Sequence, residues 1–468
     1  MRRGKTSCTS ILIGKKASID GSVMIGRNED AKAAWPKKMV VHPHGSLPNK
    51  FVSKDNGFEL ALPKGSARYT ATPEWTGKYG LFEEDGINEY DVAMSATESA
   101  YSNELVLGAD PLVKKGLNEE AMITVVLPFV KSARSGVQRL GNLIAKYGTG
   151  ETNGVLFADD SEAWYFESGA GHYWVAERIP DDAYAVVANQ LSIEEVDFND
   201  PDHFMFHPGI VDFVKANHLN PHPGHFNFRE IFGTADQSDA VYNTPRVWYG
   251  HQMFSPRASS NENPESMSMP MIEKAERKLS IQDAEAFLAS HYQGTPYDPL
   301  GHDKRGKLYR PVSLAKTQES HVLQMGRKGP DIHWLAMGVA DESTYVPFFQ
   351  GVDTVPAPYR RGKLPAQLNS AYWVFKHASV LVDSHLHDFL PDLRATQKDC
   401  QTHLLHLVRE TDQKMAKITD QENKTKVANE ASTAGAKYTL RAYRQLSMRL
   451  ITKMTDYAPL NFETDANL

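Results

Sequence analysis

Two short apolar runs near the start of the chain, residues 9–14 and 22–26, flank a turn over residues 17–21 that ends in Gly21. A chain satisfies that pattern by doubling back as an antiparallel hairpin. The hairpin fixes what meets at its open end: Cys8, just before the first strand, becomes a neighbour of Arg27, Asn28, Glu29 and Asp30 at the end of the second. A cysteine that opens a buried strand needs no further role, because free cysteine is among the most buried residue types. It acquires one if residues 1–7 are removed. The thiol is then a nucleophile and the free α-amine its base, on a single residue. The amine suits the task, since its unperturbed pKa of about 7.7–8.0 lies near working pH, whereas a lysine amine at about 10.4 would need strong perturbation.

Further short runs at 58–62, 68–72, 79–82 and 91–97 extend the strand pattern, and Asp85-Gly86 supplies a turn. The apolar spacing then turns helical, through Met122, Val125, Val126, Phe129 and Val130 and on to Val137, Leu140, Ile144 and Tyr147. It predicts two helices with an interruption near Ser135-Gly136. Strands return at 154–157, 163–167, 172–177 and 183–187. Residues 197–280 read as loop-rich with short helices at 209–217 and 228–232, and Ser280 caps a helix through Asp283, Phe287 and Tyr292. Strands at 321–325, 333–339 and 344–348 precede a change of character after residue 364, where long helical periodicity runs through Leu404, Leu407 and Val408 and later Leu440, Tyr443, Leu446 and Ile451. Polar residues 421–434 read as a linker between those helices. Early and late strand blocks separated by helices predict an α+β fold of two stacked sheets between helical layers, followed by a helical C-terminal region.

Composition narrows the function classes. With 51 lysines and arginines against 58 aspartates and glutamates the net charge is −7, which argues against nucleic acid and anionic membranes as partners. The basic start Met1-Arg2-Arg3 is followed by only Ile11, Leu12 and Ile13 as an apolar run, short of a signal-peptide core, and nothing approaches a membrane span. A cytoplasmic location is expected. Cys8 and Cys400, at opposite ends of the sequence, predict neither a disulfide nor a thiolate metal site.

Beside Cys8, Arg27 would favour the thiolate, and Asp30 would orient the amine or hold Arg27. The bland alternative is a surface arginine–aspartate pair at a strand end. The segments Cys8-Thr9-Ser10-Ile11-Leu12-Ile13-Gly14 and Ser22-Val23-Met24-Ile25-Gly26-Arg27-Asn28-Glu29-Asp30 resemble the opening of the dipeptidases of peptidase family C69, within the N-terminal nucleophile hydrolases. Gly171 to Arg178, Val187-Ala188-Asn189-Gln190, Asn243-Thr244-Pro245-Arg246-Val247-Trp248, Glu319-Ser320-His321 and Tyr345 to Phe349 follow in the order that family shows, so the resemblance runs to about residue 360.

The resemblance implies a four-layer αββα N-terminal nucleophile hydrolase fold, over residues 8–363 after a stub at 1–7, and the periodicity beyond it gives a helical extension at 364–468. The resemblance also implies hydrolysis of dipeptides or short peptides by Cys8, with Arg27, Asp30, Asn189 and Arg246 as catalytic companions and no cofactor. Asn189 would hydrogen-bond the amine or the oxyanion, and Arg246 would clamp Asp30 or another carboxylate of the site. Related acylases carry an asparagine where this chain has Ala96-Thr97, so Thr97 or a backbone N–H near it stands as the second oxyanion donor. Two alternatives remain open: an amide acylase of the penicillin V acylase and bile-salt hydrolase type, and a non-catalytic secernin-like interaction protein working through the C-terminal helices. Those helices are also compatible with a homo-oligomer. His321 reads as a hydrogen-bonded core residue; His403-x-x-His406 with Glu410 lacks the i, i+4 spacing of a zinc-peptidase helix and, like His385-x-His387-Asp388, reads as a solvated helix face, so no metal is expected.

Overall fold

The computed structural model describes residues 7–460. Of the stub, only Ser7 falls among the described residues. The predicted hairpin is present: β1 (Ser7–Ile13) pairs antiparallel with β2 (Val23–Asp30), with Ser7 opposite Asp30, Cys8 opposite Glu29 and Ser10 opposite Arg27. Because side chains alternate along a strand, Cys8, Ser10, Leu12, Ile25, Arg27 and Glu29 share one face of this pair. Thr9, Ile11, Ile13, Met24, Asn28 and Asp30 occupy the other.

Four short strands follow, β3 (Val40–His42), β4 (Lys50–Val52), β5 (Glu59–Ala61) and β6 (Tyr69–Ala71), while the predicted strand at 79–82 is a turn. Next in the chain are β7 (Asp85–Ile87), β8 (Ala93–Ser99), β9 (Asn153–Ala158), β10 (Ala163–Ser168), β11 (Trp174–Ile179), β12 (Tyr184–Val187) and β13 (Phe204–Phe206). The last are β14 (Ile272–Glu273), β15 (Thr317–Met325), β16 (Ile332–Met337) and β17 (Val346–Phe349). They form a seven-stranded sheet, β14-β12-β1-β2-β15-β16-β17, and a six-stranded sheet, β13-β11-β10-β9-β8-β7.

Packing stacks these sheets into four layers. Leu12, Ile25, Val187 and Leu323 of the first sheet meet Leu156, Ala158, Tyr165 and Val175 of the second in an apolar layer between them. Full burial of each such leucine, isoleucine or valine contributes roughly 1.5–3 kcal/mol, and this layer helps offset the charged groups buried at its Cys8 end. The outer face of the first sheet, with Ile11, Met24, Val186 and Val322, is covered by the Thr244–Phe254 and Ile281–Leu288 helices. The outer face of the second, with Met94, Phe157, Trp164 and Trp174, is covered by the Glu119–Val126 and Ala133–Tyr147 helices. The fold is therefore αββα.

Several local expectations are corrected: Asp85-Gly86, expected as a turn, opens β7, and the helix capped by Ser280 ends at Leu288, short of Tyr292. The break between the first two helices is at the 3-10 turn Leu127–Phe129, where Pro128 cannot continue an α-helix, and Ser132 then caps the next helix. Ser135-Gly136 lies inside that helix. Within the supposed loop region, Thr244–Phe254 is an eleven-residue helix with Pro245 in its first turn, the favoured place for proline. Residues 421–434 begin the 34-residue helix Gln421–Met454 rather than a linker.

After residue 364 come the helices Ala371–Ser384, Leu386–Met415 and Gln421–Met454. Their Tyr372, Phe375, Leu393, Leu440 and Tyr443 pack with Leu335, Met337, Val346 and Phe348 of β16 and β17. Among the described residues no helix is long and apolar enough to cross a membrane.

Candidate active site

Cys8 lies at the beginning of β1, 2% exposed, with its side chain between the sheets. Arg27, one residue diagonal to it on β2, is fully buried and uses its whole guanidinium. Nη1 donates to Cys8 Sγ at 3.2 Å and to the Thr97 carbonyl at 3.1 Å, and Nε donates to Ser95 Oγ at 2.9 Å. Nη2 reaches Glu84 Oε2 at 2.8 Å, the Glu84 carbonyl at 3.1 Å and the Ala96 carbonyl at 2.8 Å. The charges then alternate back toward the nucleophile: Lys37 Nζ lies 2.7 Å from Glu84 Oε1 and 2.8 Å from Glu29 Oε2, and Glu29 is the cross-strand partner of Cys8.

Electrostatics in this state keep the sulfur protonated. Burial pushes the Cys8 thiol well up, Arg27 pulls it down, and Glu98, Glu119 and Asp30 push it up again. Arg27 thus acts in the direction expected from the sequence but does not outweigh burial.

Asp30 lies on the opposite face of the hairpin. It accepts from Arg310 Nη2 and from the Thr317 hydroxyl, and not from Arg27, the partner its sequence position suggests. Arg310 also donates to Thr9 Oγ1 at 3.1 Å. Arg246, at the start of the Thr244–Phe254 helix, clamps no carboxylate among the described residues. Its Nη1 donates to the Cys8 carbonyl and to Thr9 Oγ1 at 2.8 Å, and its Nη2 to Asn189 Oδ1 at 2.9 Å and Asn243 Oδ1 at 2.8 Å. Burial and the neighbouring Arg310 lower its pKa to about 10. Neutral acceptors suit a guanidinium so placed.

Asn189 follows the end of β12, the strand beside β1. Its Nδ2 donates to Glu98 Oε1 at 3.0 Å and to the Ser99 carbonyl at 3.0 Å, leaving Oδ1 to Arg246. Thr97 meets the site through its carbonyl oxygen. The pairing of β8 with β9 shifts register between Ala96 and Glu98, so an extra residue sits at Thr97 and the alternation of side chains is reset. Ser95 reaches Arg27 from β8, and Glu98, three residues on, still reaches β1 through Ser10 Oγ at 2.6 Å. Period-two reading would send Glu98 the other way, which is why the sequence did not reveal it. Glu84, Lys37 and Arg310, on or beside loops, carried no periodic signal either.

Behind Arg27, His321 is directly opposite it on β15. Its Nε2 is 2.9 Å from Ser95 Oγ, and its Nδ1 is 2.7 Å from Asp85 Oδ2 and 3.0 Å from Glu319 Oε2. Those two carboxylates outweigh desolvation and raise the His321 pKa to about 9. Asp85, Glu319 and His321 are the one group among the described residues whose donor atoms converge as metal ligands would. Here Nδ1 carries a proton between the two acids. The other histidine groups are dispersed: His403 stacks on Tyr438, and His406 pairs with Glu410 at 3.7 Å on an exposed helix face.

The arrangement is a thiol at a strand end, with a guanidinium on its sulfur and another on its carbonyl, carried on the inner strands of an αββα sandwich. The model of peptidase family C69 matches residues 7–399. The chain belongs to peptidase family C69. Among similar proteins, a probable dipeptidase of Latilactobacillus sakei is 43% identical over 473 residues, 99% of this chain and 98% of the relative. Probable dipeptidase B of Lactococcus lactis subsp. lactis (strain IL1403) is 38% identical over 474 residues, 98% of each. Among solved structures, a penicillin V acylase from Agrobacterium tumefaciens aligns with a TM-score of 0.33 and 14% identity over 74% of this chain and 87% of the acylase. This C69 member is a peptide hydrolase, and its matched span ends inside the Leu386–Met415 helix.

Proposed function

We propose that this C69 peptidase is a dipeptidase whose nucleophile is Cys8, made N-terminal by removal of residues 1–7. The observation that carries the reading is the pairing of Cys8 Sγ with Arg27 Nη1 at 3.2 Å while Arg246 binds the Cys8 carbonyl, so that two cations grip one residue from both ends. Relatives named as dipeptidases at 43% and 38% identity support the substrate class.

In the chain as it stands, the Cys8 nitrogen is an amide and cannot act as a base. Cleavage of the Ser7–Cys8 bond turns it into an amine. That amine takes the thiol proton, the sulfur attacks the scissile carbonyl, and collapse of the tetrahedral intermediate gives an acyl-enzyme thioester while the amine returns the proton to the departing amino acid. Water then attacks the thioester, restores the thiol and releases the second amino acid. Arg27 favours the sulfur anion throughout. The register of Ser7 with Asp30 supports Asp30 as the acceptor that orients the new amine.

Asn189 Nδ2 and a backbone N–H near Thr97 are the oxyanion donors. Asn189 has both its hydrogens on Glu98 and Ser99, so it serves the oxyanion by exchanging one of these bonds. Loss of such a donor costs about 3–4 kcal/mol of transition-state stabilisation.

Intact mass and dipeptide hydrolysis of the purified protein, with and without Cys8→Ala, test the reading. The expected result is an active species lacking residues 1–7 and no activity in Cys8→Ala. A full-length active enzyme, or an active Cys8→Ala variant, overturns it, and turnover of penicillin V or conjugated bile acids in preference to dipeptides would move the substrate to the acylase class.

A further inference from the structure

Three carboxylates of the site have cations of their own. Asp30 is held by Arg310, Glu84 by Arg27 and Lys37, and Glu29 by Lys37. Glu98 is different. It is fully buried, its Oε2 accepts from Ser10 Oγ at 2.6 Å and its Oε1 from Asn189 Nδ2 at 3.0 Å, and both donors are neutral. Among the described residues no lysine, arginine or histidine comes within ion-pairing distance of it. Burial accordingly raises its pKa to about 7, against the pull of Arg246, Arg27 and Arg310 farther off. A buried carboxylate with only neutral partners gains strongly from a cation that arrives with the substrate.

The chemistry of a dipeptide says where such a cation must be. Its free ammonium is on the carbon next to the scissile carbonyl, about 2.5 Å from the atom the sulfur attacks, so the group that reads it lies within about 8 Å of that sulfur. Glu98 is joined to the same stretch of β1 as the nucleophile. It is bonded to Ser10, which shares the Cys8 face of β1 two residues away, about 6.7 Å along the strand. Of the carboxyls acting on the Cys8 thiol, Glu98 acts most strongly. Glu119, the next in influence, has no hydrogen bond to β1 among the described residues.

We propose that Glu98 is the seat of the substrate's free α-ammonium, the residue that makes this peptidase select unblocked N-termini. The inference rests on the dipeptidase reading and adds to it the basis of selectivity. A substrate with an acylated amine would bring a neutral, bulkier group against a carboxylate that offers it no charge pairing.

The test uses the mature enzyme, a dipeptide, and the N-acetylated form of that dipeptide as a competitor. Glu98→Gln preserves both hydrogen bonds, with its carbonyl accepting from Asn189 and its amide donating to Ser10, and removes only the charge. The expected result is a rise in KM for the dipeptide of about 10–100-fold with kcat largely kept, and an unchanged or lower inhibition constant for the acetylated form. Glu98→Asp, which keeps the charge, retains the preference for the free amine. An equal weakening of both ligands, a fall in kcat alone, no change in either constant, or the loss of selectivity in Glu119→Gln instead would overturn the assignment. Failure of the dipeptidase reading is separate, because it would appear in the unsubstituted enzyme as absent or Cys8-independent hydrolysis.

Discussion

Glu98 bears on the fold as well as on the substrate. Its pKa near 7 is raised by burial from an ordinary glutamate value of about 4.3, so between those two values the folded protein binds a proton that the unfolded chain has released. Stability from this residue is therefore full below pH 4, declines as pH rises, and is lost by pH 7 and above. The shift corresponds to about 4 kcal/mol. Glu98→Gln has no such loss, so its stability relative to the unsubstituted protein should increase by up to that amount between pH 5 and pH 8, with Cys8, Arg27, Arg246, Arg310 and Tyr165, the other titratable groups around it, common to both proteins. Urea unfolding of the two proteins at pH 5 and pH 8 measures the difference. Equal stabilities at pH 8 would mean that Glu98 is already paired with a cation in the free enzyme. At the scale of residues the sequence was legible where chemistry is local: Cys8, Arg27 and Asp30 were named from one hairpin, and Asn189 and Arg246 from family order. The partners were not legible. Asp30 turned out to belong to Arg310, and Arg246 to neutral oxygens, because which charge meets which is decided by residues up to 280 positions apart.

At the scale of elements, the errors have a common origin. A glycine in an apolar-periodic stretch suggests a break, whereas in the Ala133–Tyr147 helix glycines mark close packing. A side chain at Gly136 would approach Phe157 to 2.6 Å, and one at Gly141 would come within 2.2 Å of the Trp174 ring. The helix lies nearly flat on the second sheet at these two points. Gly141→Ala, a change that favours an isolated helix by about 1 kcal/mol, is therefore expected to destabilise this protein by about 1–3 kcal/mol through overpacking. Thermal or urea unfolding measures the loss, and a gain in stability would show that the helix can lift from the sheet without penalty. The β8 irregularity at Thr97 is the same kind of event in a strand. Periodicity reports the faces of regular elements, and a single extra residue reassigns every face beyond it.

On the scale of the whole molecule, the site is assembled from β1, β2, β8, the end of β12, one helix and the segment before β15, so it exists only when both sheets are stacked. The layer order was legible because strand blocks and helical blocks alternate in the sequence. The relation of the last hundred residues to that body was less so, since periodicity shows that helices form but not what they cover. They cover β16 and β17: Ser432 Oγ takes the Phe349 N–H at 3.1 Å, and the Tyr443 hydroxyl lies 3.0 Å from Thr344 Oγ1 and 3.1 Å from the Glu342 carbonyl. Removing residues 364–468 would expose Leu335, Met337, Val346 and Phe348 together, and each loses roughly 1.5–3 kcal/mol of burial, a sum comparable to the whole stability of an ordinary domain. β15 lies between β16 and β2, so disorder beginning at the exposed strands has a short path to His321, Arg27 and Cys8. A chain ending at residue 363 is thus expected to show no cooperative urea transition and no hydrolysis, while the full-length protein unfolds with the helices and the sheets in one step. If the shortened chain instead folds cooperatively and retains its activity, the helices are an appendage to the catalytic body, and their apolar contacts with β16 and β17 would have to be replaced by collapse of the sheet edge onto itself.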